Sequence, residues 1–222
     1  MNELLWLALL TLCFISIISL YRYFGKVGLY VWLVLALMMS NIQTIRIINL
    51  FSFEIALGII FYSTTFTIID ILLEKHGKKE AQNAVVVATI SMIITTLLMH
   101  LTTYTNPSIN DITTYSFNLI FFINIRIFIA TVIAFFISHW YKIIIYEKIK
   151  NDYRKSYIVS GDVSTIISQL IDTMLFIIIA FIGTYPLSIM IELFIAKYVF
   201  KFIVAILDTA VLYFVNKIDP QQ

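Results

Sequence analysis

Long apolar runs alternate along this chain with short polar breaks. Read as helices, the runs cover residues 4–20, 27–45, 55–73, 83–102, 125–146, 164–183 and 189–214, each near the roughly 17–25 residues needed to cross a bilayer. Seven such spans fill the 222 residues. The pattern therefore predicts an all-α integral membrane protein, a bundle of seven transmembrane helices forming one domain over residues 1–222. The first run reads as a true helix and not as a secretory signal, because Glu3 and no basic residue leads it and no small-x-small cleavage pattern follows.

Charges interrupt the apolar runs where lipid would not tolerate them: Asp70, Arg126, Asp172, Glu192, Lys197, Lys201 and Asp208. An ionised group at the bilayer centre costs about 2.5–3.5 kcal/mol even on the lenient insertion scale. These side chains must face one another, a water-filled cavity or a polar ligand, so function is expected in the bundle interior.

Composition agrees with the pattern. Hydrophobic residues make up 61% and charged residues 13%, with mean hydropathy +0.95, against about a quarter charged in soluble domains. Basic residues cluster in alternate loops, at Arg22 and Lys26, at Lys75, Lys78 and Lys79, at Lys148, Lys150, Arg154 and Lys155, and at Lys217. By the positive-inside rule those loops are cytoplasmic, which places the N-terminus outside and the C-terminus inside, with Arg46 the one exception. The net charge of +2 follows from this asymmetry, and basic loops beside a membrane need no nucleic acid to explain them. The lone Cys13 lies within the first run, which excludes a disulfide framework.

Within the spans the polar residues have helical spacing. Thr165, Ser168, Gln169 and Asp172 lie three or four residues apart and share one face of the sixth span, and that stripe is expected to face inward. Lys197, Lys201 and Asp208 share a face of the seventh, with Lys201 nearest the middle, and a Lys201–Asp172 or Lys201–Asp70 pair would neutralise it. Ser63, Thr67, Asp70 and Glu74 line the third span, with Glu74 near the boundary beside Lys75 and Lys78. Asn41 closes the second span, and Arg126 begins the fifth, placed to hold a carboxylate such as Glu192. A segment in the fifth span, Ser138-His139-x-x-Lys142, aligns with Ser168-Gln169-x-x-Asp172 thirty residues later, the kind of duplication transporters place around a midplane site. His76, His100 and His139 lie at different depths, which argues against a metal site. No nucleophile elbow, His-Glu-x-x-His or glycine-rich phosphate loop occurs, so neither catalysis nor a cofactor is expected.

The strings NIQTIR (41–46), FYSTTFTIIDILLEKHGKKEAQ (61–82), RIFIATVIAFFIS (126–138) and STIISQLIDTMLFIIIAFIG (164–183), with a Tyr-x-x-Lys ending at Lys201, together resemble the vitamin uptake transporter family, whose members are bacterial queuosine-precursor transporters of the inner membrane. The resemblance implies import of a 7-deazaguanine base such as preQ0, preQ1 or queuine by alternating access. It implies a substrate site drawn from Asn41, Asp70, Arg126, Gln169, Asp172, Glu192 and Lys201, with Tyr62, Phe66, Phe176 or Tyr198 as stacking surfaces. Two positions depart from the family pattern. Ser138-His139-x-x-Lys142 stands where the family shows Ser-Gln-x-x-Asp, and Arg46 stands where it shows Lys. Expected partners are the small-molecule base and membrane lipid, with no nucleic acid and room for a homodimer. Two other readings stay open: a substrate-binding subunit of an ATP-driven importer, against which the missing Ala-x-x-x-Ala stripe in the first helix counts, and a non-transporting membrane assembly protein.

Overall fold

A computed structural model describes residues 1–51, 53–122, 125–152 and 157–218. Its elements are α1 (Asn2–Gln43), a hairpin of β1 (Ile47–Leu50) and β2 (Phe53–Ala56), then α2 (Ile59–Lys75), α3 (Lys78–Thr102), α4 (Thr114–Phe121), α5 (Ile125–Asp152), α6 (Tyr157–Phe181) and α7 (Leu187–Asn216). The protein is a helical, multi-pass membrane protein. Helices α1, α3, α5 and α6 are each long and apolar enough to cross a bilayer. The 30-residue α7 is long enough but carries Glu192, Lys197, Lys201 and Asp208, and α2 has 17 residues.

The first two expected spans are the two arms of α1. As one straight rod its 42 residues would run about 63 Å, yet Asn2 Nδ2 donates to the Asn49 carbonyl at 3.0 Å, so the helix folds back on itself. The reversal is at Gly25, whose φ of 53° and ψ of −134° lie outside the range comfortable for a residue with a Cβ. At Gly28 a Cβ would sit 2.2 Å from the Leu20 carbonyl oxygen, so the arms meet where only glycine fits.

The third expected span began at residue 55, but the structure places Phe53–Ala56 in β2, paired antiparallel with β1 from Ile47↔Ala56 to Leu50↔Phe53, and starts α2 at Ile59. Short apolar runs of this length carry no periodicity that separates strand from helix. The eight-residue α4, none of whose residues is buried, lies between the fourth and fifth expected spans. The remaining spans appear as helices: α3 and α6 begin five and seven residues earlier than expected, α5 ends six residues later, α7 is longer by two at each end, and α6 stops two residues short, at Phe181.

Helix α2 is the axis of the bundle. Helices α1, α3, α5, α6 and α7 all pack on it, and 14 of its residues, Asp70 included, are buried. The bundle is amphipathic in the inverse sense to a soluble protein. On α6, Ile167, Leu170, Met174 and Ile178 are exposed while Ser164, Thr165, Ser168, Gln169, Asp172 and Thr173 are buried. An apolar outer face with a polar interior is stable when lipid, not water, is the solvent.

Candidate functional site

Two buried ion pairs occupy the middle of the bundle. In the first, Lys201 from α7 donates to Asp172 Oδ2 and to Thr173 Oγ1 at 3.2 Å. The other oxygen, Asp172 Oδ1, accepts from the Tyr62 hydroxyl at 2.5 Å and from Ser138 Oγ at 3.2 Å. One carboxylate thus ties together α2, α5, α6 and α7. The Lys201 ammonium also lies 4.7 Å from the centre of the Tyr62 ring, within cation–π range. Asp172 and Lys201 are both 2% exposed, so a ligand reaches the pair only if the helices part.

In the second pair, Lys142 Nζ lies 2.7 Å from Asp70 Oδ1. Asp70 Oδ2 accepts from Thr165 Oγ1 at 2.9 Å, and Lys142 also donates to that hydroxyl. Fully buried Lys142 thereby keeps its charge matched in a place where a lone ammonium would carry several kcal/mol of desolvation cost. Between the two pairs sits His139, its ring between Phe66 and Phe135 at centroid distances of 4.1 and 4.2 Å. Its Nε2 is 2.9 Å from Thr65 Oγ1, and its Nδ1 is 3.0 Å from the Phe135 carbonyl oxygen.

Gln169 lies on the same α6 face, one turn from Asp172 and one from Thr165. It is fully buried, and neither its Oε1 nor its Nε2 has a hydrogen-bond partner. A buried unsatisfied amide costs about 1–3 kcal/mol per group. Such an amide, set between two charged pairs, is a donor and an acceptor held ready for something polar.

The residues expected from the sequence divide into two groups. Asp70, Gln169, Asp172 and Lys201 come together in the buried centre, while Asn41, Arg126 and Glu192 lie apart and exposed. Of the two carboxylates considered for Lys201, Asp172 is the one it holds. Arg126 engages the end of α6, not Glu192. Its Nε donates to the Ile179 carbonyl at 2.8 Å, one amino group donates to Thr184 Oγ1 at 3.0 Å and the other to the Ile182 carbonyl, satisfying acceptors that the helix terminus leaves open. Glu74 accepts from Tyr146 and Lys150 at 2.8 Å each, where Lys75 and Lys78 were expected, while Lys75 turns to the Asn216 carbonyl at 3.0 Å. Lys197 lies over the Phe176 ring at 3.4 Å. Sequence reasoning left Lys142, His139, Ser138 and Thr65 out of the site. Their signal was the alignment of Ser138–Lys142 with Ser168–Asp172, which puts both segments on facing, buried helix surfaces.

Residues 56–215, which contain every member of this buried network, match the family described as "Putative vitamin uptake transporter". Over 222 residues, 99% of this chain and 96% of the relative, the sequence is 31% identical to the "Probable queuosine precursor transporter" of Bacillus subtilis (strain 168). No solved structure matches the chain. A polar, ion-paired interior inside a lipid-facing helical shell is what a carrier of small polar molecules requires, and the chain belongs to the vitamin uptake transporter family: it is a membrane transport protein and not an enzyme.

Proposed function

We propose that this protein imports a queuosine precursor, a 7-deazaguanine base such as preQ0, preQ1 or queuine, across the bacterial inner membrane by alternating access. Both arms of α1, together with α2, α3, α5, α6 and α7, make the seven crossings, with the N-terminus outside and the C-terminus in the cytoplasm, as the alternating basic loops favour. The observation that carries the reading is Gln169, fully buried with both polar atoms unpartnered beside the Asp172–Lys201 pair. Likeness along nearly the whole chain to a relative named for queuosine precursors supports the substrate class.

A 7-deazaguanine base offers N1–H and an exocyclic amine as donors on one edge and a carbonyl oxygen as acceptor. Asp172 accepts from the donor edge in exchange for its bond to Tyr62, and Gln169 both accepts and donates. Lys201, freed from full commitment to Asp172, donates to the carbonyl. Tyr62, Phe66 and Phe135 supply flat surfaces on which a base can stack. Entry of substrate replaces the interhelical ion pair with protein–substrate bonds, which loosens the α6–α7 contact and allows the site to open to the other side.

The test is uptake of labelled 7-cyano-7-deazaguanine, its aminomethyl analogue and queuine by cells unable to make them, with and without this gene product. Accumulation of at least one base, lost in Asp172→Asn, is the expected result. Uptake equal to that of the empty host for all three would overturn the substrate assignment.

A further inference from the structure

The buried charges do not balance. Asp70, Asp172 and Asp208 are buried at 3% exposure or less, as are Lys142 and Lys201, and the two ion pairs commit both lysines. Among the described residues Asp208 is left with the Thr67 hydroxyl, which donates to its Oδ2 at 2.5 Å. An ionised carboxylate shut away from water without a cation is too costly to persist, and such groups neutralise. We propose that Asp208, with Thr67, is a proton-binding site through which transport is coupled to the proton gradient.

The surroundings leave a proton as the neutralising ion. Facing Asp208 are Asp70 from α2, Lys142 from α5 and Asp162 from α6, two further carboxylates and one ammonium already held by Asp70. From α1 the packing is through Ile17 and the phenol-bearing Tyr21, in one core with Val211 and Val215 of α7. Strand β2 meets α7 at Phe200, through Phe53. On its own helix Lys201 is seven residues away, about 10 Å along the axis, and Lys197 is farther. Hard metal cations gather roughly six oxygen ligands, whereas here both Asp70 oxygens are held by Lys142 and Thr165 and Asp162 is engaged by Thr209, which leaves the Asp208 carboxylate and the Thr67 hydroxyl.

A second carboxyl stands near Asp208 on the side of the surface. Thr209, the next residue along α7, donates to Asp162 Oδ1 at 3.1 Å. Asp162 is half-buried in the second turn of α6, toward the end of the bundle that carries the α5–α6 connection. A partly wet carboxylate therefore stands between Asp208 and that surface. In the other direction Asp70 and Lys142 lead up to the Asp172–Lys201 pair, so protonation of Asp208 alters the field at the second ion pair and, through Thr165, at the α6 face that carries Gln169.

The coupling rests on the transport reading above, whereas occupancy of Asp208 by a proton does not, and two measurements separate them. Infrared spectra of the purified full-length protein at pH 7 should contain a protonated-carboxyl C=O band that Asp208→Asn removes and that Thr67→Val shifts. Absence of the band in wild type, or its persistence in Asp208→Asn, overturns the proton site. In proteoliposomes an imposed gradient of one pH unit should sustain about a tenfold accumulation of the transported base for one-to-one coupling, and Asp208→Asn should equilibrate the base without accumulating it. Accumulation driven by sodium, or undiminished in Asp208→Asn, overturns the coupling, while failure of all uptake counts against the substrate reading and leaves the infrared result to decide Asp208.

Discussion

The Tyr62 hydroxyl donates to Asp172 Oδ1 at 2.5 Å while the Tyr62 ring lies beneath the Lys201 ammonium at 4.7 Å, so one residue of α2 touches both members of the ion pair that joins α6 to α7. Replacing it by phenylalanine keeps the ring and removes one charge-assisted bond. Tyr62→Phe is expected to cost about 1.5–3 kcal/mol of stability and to weaken base binding, read as a lowered thermal midpoint and a smaller ligand-induced shift. A variant with unchanged midpoint and unchanged shift would place the hydroxyl outside both roles.

Lys201 and Asp172 form a buried pair in which each neutralises the other. Lys201→Met or Asp172→Asn alone leaves an uncompensated charge and should cost about 3–5 kcal/mol, whereas the double change should be close to neutral. Thermal unfolding of the three variants checks the stability side. Uptake should be lost in all of them, and a double mutant that transports normally would make the pair structural only.

Gln169 gives the opposite sign. Its amide has no partner in the ligand-free protein, so Gln169→Met, similar in size and free of unsatisfied groups, should leave stability unchanged or raise it by about 1–3 kcal/mol. The same variant should lose the thermal stabilisation that a 7-deazaguanine confers on wild type. Destabilisation with the ligand shift intact would show that the amide serves the fold.

Orientation can be read by cysteine labelling, because the native Cys13 is buried and gives little background. Cysteine introduced in place of Asn110 should react with an impermeant thiol reagent added to intact cells, and cysteine in place of Asn151 should react only after lysis. Both side chains are exposed. The reverse result would invert the topology.

Helical periodicity carried much of this structure. The inward stripe Thr165, Ser168, Gln169 and Asp172 was legible because a 3.6-residue repeat sets where each side chain points around its own axis, and the cost of charge in lipid required Lys201 to find a carboxylate. Membrane insertion and the polar interior followed from composition and from the spacing of the apolar runs. Periodicity says nothing, however, about which neighbouring helix a face will meet or at what depth. That Lys201 takes Asp172 and Lys142 takes Asp70 was decided by the packing of α5, α6 and α7 around the central α2. So was the diversion of Arg126 to the end of α6, where the open carbonyls of the final turn lay nearer than Glu192. The β1–β2 hairpin was hidden because strands of four residues are too short to show a period that separates strand from helix. Asp208 was visible as a charge from the start, but its isolation became apparent only when the tertiary fold had assigned both buried lysines to other carboxylates.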